Sequence, residues 1–460
     1  MRPWGGPAVL PSFILLSYNP IMEDVGLDIA QIILMLAVVF ILSKTLSRVV
    51  SRFGVPGLIG EIVLGVVLAN LVIGDFDIAE MLDLKEHAEG HQVLEVFSEL
   101  GVVFLLFMVG LETRVTDLTS VGKAAFLVAF MGVIVPFIVG FAYVSFFGDG
   151  EFYHSMFMGA AMVATSVGIT ARVIKDMGLM DVKESRIIIG AAVIDDILGM
   201  IVLAIVSGMA KSGGELDILN IVEITVIAVA FVLAVLFLAG KVVPAIHKKW
   251  LEYNARKMEE DPNHLPFRFN MFIVALAFCL VFAYFADAIG LATIIGSFLG
   301  GMLFAEHAWE WKLEEKFENL STFFVSYFFV YVGMNVDLQI FFDKPALLIT
   351  AAIVIVLACL TKFIGCGLGA KIAEPHMEQS SVNIIGCGMM PRGEVGIIVA
   401  LIGTKIVIDE VESIMAVSDE MYAIIVLMCI ATTIIAPPIL SILYRKKYKT
   451  DYVVSDEDKL

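Results

Sequence analysis

Thirteen apolar segments of membrane-spanning length run through the 460-residue chain, at about 27–46, 56–73, 93–111, 122–147, 154–171, 186–209, 217–243, 269–287, 289–305, 319–336, 345–370, 381–403 and 419–443. About twenty apolar residues in a helix cross a bilayer core, and backbone inside that core must satisfy its own hydrogen bonds. A chain with so many such runs is an all-α polytopic membrane protein. Its balance agrees: 59% hydrophobic, 17% charged, mean hydropathy +0.93, where soluble domains hold roughly 45–50% apolar and about 25% charged residues.

Lysine and arginine set the expected orientation, because they gather on the cytoplasmic side. Loops after odd-numbered segments, with the C-terminal end, carry 23 of the 30 basic residues; the opposite side carries five: Arg2, Lys85, Lys211, Lys344 and Lys405. The N-terminus is expected outside and the C-terminus inside. Two basic residues, Lys362 and Arg392, lie within apolar segments. Residues 1–26 read as an extracytoplasmic segment, interrupted by Pro3, Pro7, Pro11 and Pro20 and carrying only Arg2 as a base; that is a poor signal peptide. Residues 27–443 form the transmembrane part, residues 217–243 a linker helix, and Lys241–Arg268 the longest loop, basic and polar. Residues 444–460 read as a cytoplasmic tail too short to fold alone, so no C-terminal soluble domain is expected.

The chain repeats itself. Residues 58–69 (LIGEIVLGVVLA) match 294–305 (IIGSFLGGMLFA), with Gly60 on Gly296 and Gly65 on Gly301. Residues 104–111 (FLLFMVGL) resemble 327–334 (YFFVYVGM), and 162–169 (MVATSVGI) align with 390–397 (MPRGEVGI). The three matches keep their order, at offsets of 236, 223 and 228. Segments 2, 3 and 5 thus correspond to 9, 10 and 12, within repeats at about 27–209 and 269–443. Members of each pair lie seven segments apart. Seven is odd, so the copies run in opposite senses. Inverted repeats are the build of secondary transporters, with the site at the midplane where the repeats meet.

Polar groups in the apolar runs are the candidate site. Asp195 and Asp196, in GAAVIDDILGM, sit mid-segment. A carboxylate at bilayer depth costs several kcal/mol unless paired, hydrated or protonated. Neighbours on a helix point about 100° apart, so the two aspartates face different partners. One can bind an ion while the other meets a helix. Ala164–Thr170 (ATSVGIT) places the hydroxyls of Thr165 and Ser166 beside a glycine inside a span, and its repeat partner holds Pro391 and Gly393. Breaks at matching positions of two repeats point to a transporter site. Lys362, an ammonium in mid-segment, needs a carboxylate, and the aspartates are the nearest candidates. Arg392 and Glu394, two apart around Gly393, are expected to form a structural ion pair. Glu95 and Asp287 lie near segment ends; Glu61 and Glu99 lie deeper and read as structural.

Other classes find little support. The net charge of −18 argues against a nucleic-acid partner, and the five cysteines follow no metal spacing. No phosphate-binding loop suggests ATP drive, and no TVGYG-like filter suggests a channel. An intramembrane aspartyl protease needs its two acids on separate helices, whereas here they are adjacent on one. A membrane sensor without flux is a further alternative.

ATSVGITARVI, AAVIDDILGM, MPRGEVGIIVA, GLATIIGSFLGGMLFAEH and FFVYVGMNVDL together resemble the bacterial monovalent cation:proton antiporters. The likeness is to sodium/proton antiporters with a paired-aspartate motif, related to the Kef-type potassium/proton systems, and it covers roughly residues 27–443. It implies thirteen helices in two inverted repeats, with a core domain of two crossed, unwound helices and a dimerisation domain, hence a homodimer in lipid. It implies that Asp196 is the essential ion-binding carboxylate. Asp195 becomes the additional aspartate of electrogenic members, paired with Lys362 for charge coupling. Thr165 and Ser166 lie at the crossover, so Asp196, Asp195 and Thr165 are the expected ligands of the transported cation, with Ser166 beside them. No cofactor is expected beyond the transported Na+, or Li+, and H+. Kef-type members carry a long cytosolic nucleotide-binding region, which is not expected here. The expected activity is sodium/proton antiport without enzymatic chemistry, the alternative being potassium/proton antiport.

Overall fold

A computed structural model describes residues 29–52, 56–70, 72–73, 76–85, 88–114, 122–180, 182–211, 218–260, 270–289, 291–409 and 414–448. The expected extracytoplasmic segment, residues 1–26, lies outside these, as does most of the tail. Each of the thirteen apolar segments contains helix among its described residues. In chain order they are α1 (Ile29–Ser51), α2 (Gly57–Asn70), α3 (Glu89–Glu112), α4 (Gly122–Phe147), a broken α5 (α5a, Phe152–Ala161; α5b, Val167–Asp176), α6 (Lys183–Lys211) and α7 from Ile218. Then come α8 (Met271–Ala288), α9 (Thr293–Met302), α10 (Leu313–Met334), α11 (Ala346–Ala373), a broken α12 (α12a, Gln379–Gly388; α12b, Glu394–Thr404) and α13 (Asp419–Tyr448). Among the described residues nine helices are long and apolar enough to cross a membrane. Two small antiparallel pairs, Val72–Ile73 with Phe76–Asp77 and Val407–Asp409 with Ile414–Met415, cap loops.

The protein is a multi-pass membrane protein, and its outer face shows it. Ile33 and Leu34 on α1, Ile138 on α4, Ile273 on α8 and Ile349 and Ile364 on α11 are all more than half exposed. In water such a belt would be an aggregation hazard; in lipid it is the solvent-matched surface.

The extensive helix contacts fall into two bodies. One packs α1, α2, α3, α8, α9 and α10; the other packs α4, α5, α6, α11, α12 and α13. Helix α7 touches both, through α6 and α9. Both broken helices and the paired aspartates belong to the second body. Each body is tightened by glycines. In the first, a Cβ on Gly65 or Gly333 would lie 2.0 Å from the carbonyl oxygen of Val330 or Ile62 respectively. A Cβ on Gly301 or Gly110 would lie 2.2 Å from that of Phe107 or 2.0 Å from that of Phe298. The two sets of contacts are images of each other. The offsets that join the sequence repeats carry Ile62 and Gly65 onto Phe298 and Gly301, and Phe107 and Gly110 onto Val330 and Gly333. Likewise Gly60 meets Leu46 O, and Gly296 meets Phe282 O, again 236 residues on.

One expectation needs correction. Lys241–Arg268 is not a loop from its start. Helix α7 continues from Phe237 through a π-helical turn at Leu238–Val242 into Val243–Glu260. The charge of this stretch suggested a loop, but Ala, Lys, Arg, Glu and Met are good helix formers. Pro244, which lacks an N–H, stands two residues past the widened turn. Likewise α13 runs on to Tyr448, into the expected tail.

Candidate functional site

The site lies where the two broken helices cross. α5 is interrupted between Ala161 and Val167, and α12 between Gly388 and Glu394. Pro391 cannot donate to a helix ladder. Ser166, whose backbone at the start of α5b is extended, donates its N–H across the crossing to Pro391 O at 2.8 Å. Thr165 Oγ1 donates to Met389 O at 3.3 Å, and Thr170 Oγ1 to Gly388 O at 2.7 Å. The chains approach so closely that a Cβ on Gly393 would lie 2.7 Å from Ser166 Cβ. Some backbone groups freed at one break are thus met from the other, in keeping with the need to satisfy backbone at membrane depth.

Helix α6 passes this crossing with Asp195 and Asp196, and the helical turn separates them as expected. Asp195 is fully buried and paired with Lys362 of α11, whose Nζ lies 2.8 Å from Oδ1 and 3.1 Å from Oδ2. The ammonium also donates to Gly132 O of α4 at 2.9 Å and to Val163 O in the α5 break. Its three donors therefore meet a carboxylate and two carbonyls. The two carbonyls carry no sequence signal beyond the lack of a side chain at Gly132, where a Cβ would lie 2.5 Å from Cys366 Sγ.

Asp196 is different. It is half-buried and has no ion pair or hydrogen bond among the described residues. The charges of Asp195, Glu394 and Glu112 act on it, with Lys362 opposing. Glu112, at the exposed end of α3, feels Glu314 and Glu318 of α10 in turn. Sequence reasoning did not single out Glu112, Glu314 or Glu318. They flank segments rather than interrupt them, and only the fold gathers them. An unpartnered carboxylate in a field of like charge, beside a crossing rich in oxygen atoms, is suited to a monovalent cation or a proton.

The expected ion pair between Arg392 and Glu394 does not form. Arg392 is fully buried and donates from Nε to Met162 O and from Nη1 to Met390 O, both at 3.0 Å. Its backbone N–H donates to Thr432 Oγ1, and its carbonyl accepts from Thr433 Oγ1 at 2.7 Å. Glu394 turns the other way and accepts from Ser166 Oγ at 3.2 Å. The unwound Gly393 sends the two side chains apart. Arg392 therefore clamps the carbonyls of both breaks, while Glu394 and Ser166 sit on the Asp196 side.

Of the remaining acids, Asp287 is exposed near the end of α8, and the other three have lysine partners. Glu61 is buried against Lys44 at 2.9 Å and Ser326 Oγ at 3.3 Å. Glu95 and Glu99 share Lys405 at 2.7 and 2.8 Å. Glu99, read as a deep residue, is largely exposed.

Comparison with known proteins adds the lineage. The profile described as "Sodium/hydrogen exchanger, transmembrane" matches residues 34–446. The high-affinity Na(+)/H(+) antiporter NhaS3 of Synechocystis sp. is 33% identical over 446 residues, covering 90% of each chain. The Na(+)/H(+)-K(+) antiporter GerN of Bacillus cereus is 33% identical over 418 residues, covering 90% of this chain and 96% of its own. The solved structure of the sodium proton antiporter MjNhaP1 from Methanocaldococcus jannaschii superposes with a TM-score of 0.60 at 13% identity, covering 92% of this chain and 98% of that one. That likeness is one of fold.

Proposed function

The chain belongs to the transmembrane sodium/hydrogen exchanger family, and we propose that it exchanges Na+ for H+ by alternating access, with Asp196 as the carboxylate that the two ions contest. The observation that carries this reading is the contrast between two adjacent acids. Asp195 is saturated by Lys362, whereas Asp196 is half-buried and unpartnered among the described residues. A cation arriving at Asp196 displaces its proton, and a proton arriving displaces the cation. Thr165 and Ser166, with the carbonyls freed at the crossing, are the further oxygen ligands. Arg392 holds the crossing together.

The second body, with α4, α5, α6, α11, α12 and α13, moves as the transport core against the first, which forms the dimer contact. Thirteen crossings in two inverted repeats supply two related conformations. The protein sits in the inner membrane with its N-terminus outside, as the lysine and arginine bias directs. On that assignment Glu112, Glu314 and Glu318 line a cytoplasmic approach to Asp196, and Lys405 ties α12 to Glu95 and Glu99 of α3 on the opposite side. This arrangement is the inward-open state. Lys362 is the coupling group. When Na+ binds and Lys362 releases a proton as Asp196 does, two protons cross for one sodium and exchange moves charge. The name of the Bacillus cereus relative includes K+, which supports testing potassium as a second cargo.

The experiment is proton-flux dequenching in everted vesicles, adding Na+, Li+ and K+ in turn. Na+ and Li+ are expected to dequench with wild type and not with Asp196→Ala. Wild-type flux in Asp196→Ala overturns the site assignment, and a response to K+ alone overturns the sodium reading.

A further inference from the structure

Far along the chain from the crossing, the structure gathers His247 on α7 with His307 and Glu310 in the turn between α9 and α10. We propose that these three side chains form a binding site for a zinc-class transition-metal dication that pins α7 to that turn. The proposal stands on ligand geometry and does not rest on the exchange reading.

One ligand atom from each residue lies within 4.8 Å of the others. His247 Nε2 is 3.3 Å, and His307 Nδ1 3.4 Å, from the same oxygen, Glu310 Oε2. These separations exceed the 2.7–3.2 Å of ordinary N–H···O hydrogen bonds. They match the edge, about 3.3–3.4 Å, of a tetrahedron whose metal–ligand bonds are about 2.0–2.1 Å, the lengths zinc takes with imidazole and carboxylate. The two imidazole rings sit 4.2 Å apart between centroids. That is close for two groups that would each carry charge when protonated, and apt for two neutral ligands of one cation.

Among the described residues, the His307 ring is not held by another hydrogen-bond network. His307 Nε2 is buried with no hydrogen-bond partner. Buried imidazole nitrogens in a purely structural network are ordinarily satisfied. Here one is orphaned and the other makes only the long contact to Glu310.

The local fold presents the ligands to one point. Ala305–His307 is a single 3-10 turn, and Trp311 N donates to His307 O at 3.1 Å, so the chain curls and His307 and Glu310 share a face. His247 reaches them from the part of α7 beyond its π turn. Trp250 and Trp311 wall the site, their ring centroids 6.1 and 5.2 Å from that of His247. Glu310 is half exposed and His247 nearly enclosed, 51% against 9%. The open side leaves a fourth position for water. Two imidazoles and a carboxylate favour zinc over the alkali cations of the exchange site.

The test is titration of the purified full-length protein in detergent with Co2+ as a spectroscopic stand-in for Zn2+. Two readouts serve: the visible absorption of four-coordinate cobalt, and quenching of fluorescence from Trp250 and Trp311. The expected result is one saturable equivalent, displaced by Zn2+. His247→Gln and His307→Gln should each weaken it by at least about tenfold, the scale set by lesser, outer-shell changes at metal sites. Glu310→Gln, on the exposed rim where folding is least at risk, should also weaken it. Absence of saturable cobalt binding overturns the proposal, as does unchanged affinity in the three variants. A change in fluorescence with pH but none with metal overturns it too, and marks the cluster as a proton-binding pair only.

Discussion

At the residue scale, the informative fact is that adjacent aspartates have unlike surroundings. Asp195 and Lys362 are both wholly buried. Removing one member of such a pair strands the other and costs about 3–5 kcal/mol, whereas replacing both is often close to neutral. Lys362→Met should therefore lower thermal stability strongly in detergent. Adding Asp195→Asn should restore most of the loss. Equal stability of Lys362→Met and wild type would contradict the pairing described. Lys362→Gln in proteoliposomes is expected to weaken transport or make it electroneutral. A response to membrane potential unchanged from wild type would sink the coupling role. The aspartates and Lys362 were legible in the sequence, since charge in mid-segment needs a reason. The partners of Arg392 were not. A guanidinium and a carboxylate two residues apart invite pairing, and only the course of the backbone at Gly393 shows that they part.

At the scale of elements, the breaks and the glycines do most to set the architecture. The broken helices could be read from Pro391, Gly393 and the ATSVGIT run. Which atoms meet across the crossing could not, because backbone carbonyls leave no mark in a sequence. The repeat matches located Gly65, Gly110, Gly301 and Gly333, and the fold places each within 2.0–2.2 Å of a carbonyl for any added Cβ. Gly65→Leu or Gly301→Leu must therefore separate two backbones and should lose about 1–3 kcal/mol or more, the cost of overpacking. Gly199→Ala, whose new methyl group has only Val163 Cγ1 near it, at 3.9 Å, should melt within a degree or two of wild type. Similar melting of Gly65→Leu and Gly199→Ala would show that the close approach is not real. Helix α7 marks the limit of reading by polarity. Its charged second half reads as a loop by polarity, although its residues favour helix.

At the scale of the whole molecule, two bodies meet along a boundary with a few polar ties. Lys405 holds Glu95 and Glu99, and Tyr422 Oη donates to Val332 O at 2.9 Å. If the second body slides, these ties must break. Lys405→Gln should therefore favour the opposite conformation, raising the reactivity of a cysteine placed at Asp196 to a membrane-impermeant thiol reagent applied from outside. Unchanged labelling from outside would mean that Lys405 does not restrain the motion. The thirteen segments and the membrane class could be read from hydropathy alone. The division into two bodies could not, because it depends on which glycine-lined faces meet.

The central claim is that one carboxylate, Asp196, is contested by a cation and a proton. The most direct measurement adds NaCl to purified protein in weakly buffered detergent solution and records proton release against sodium bound. The account predicts saturable release that disappears in Asp196→Asn and persists, altered in amount, in Lys362→Gln. Sodium-dependent proton release of wild-type size from Asp196→Asn would contradict it.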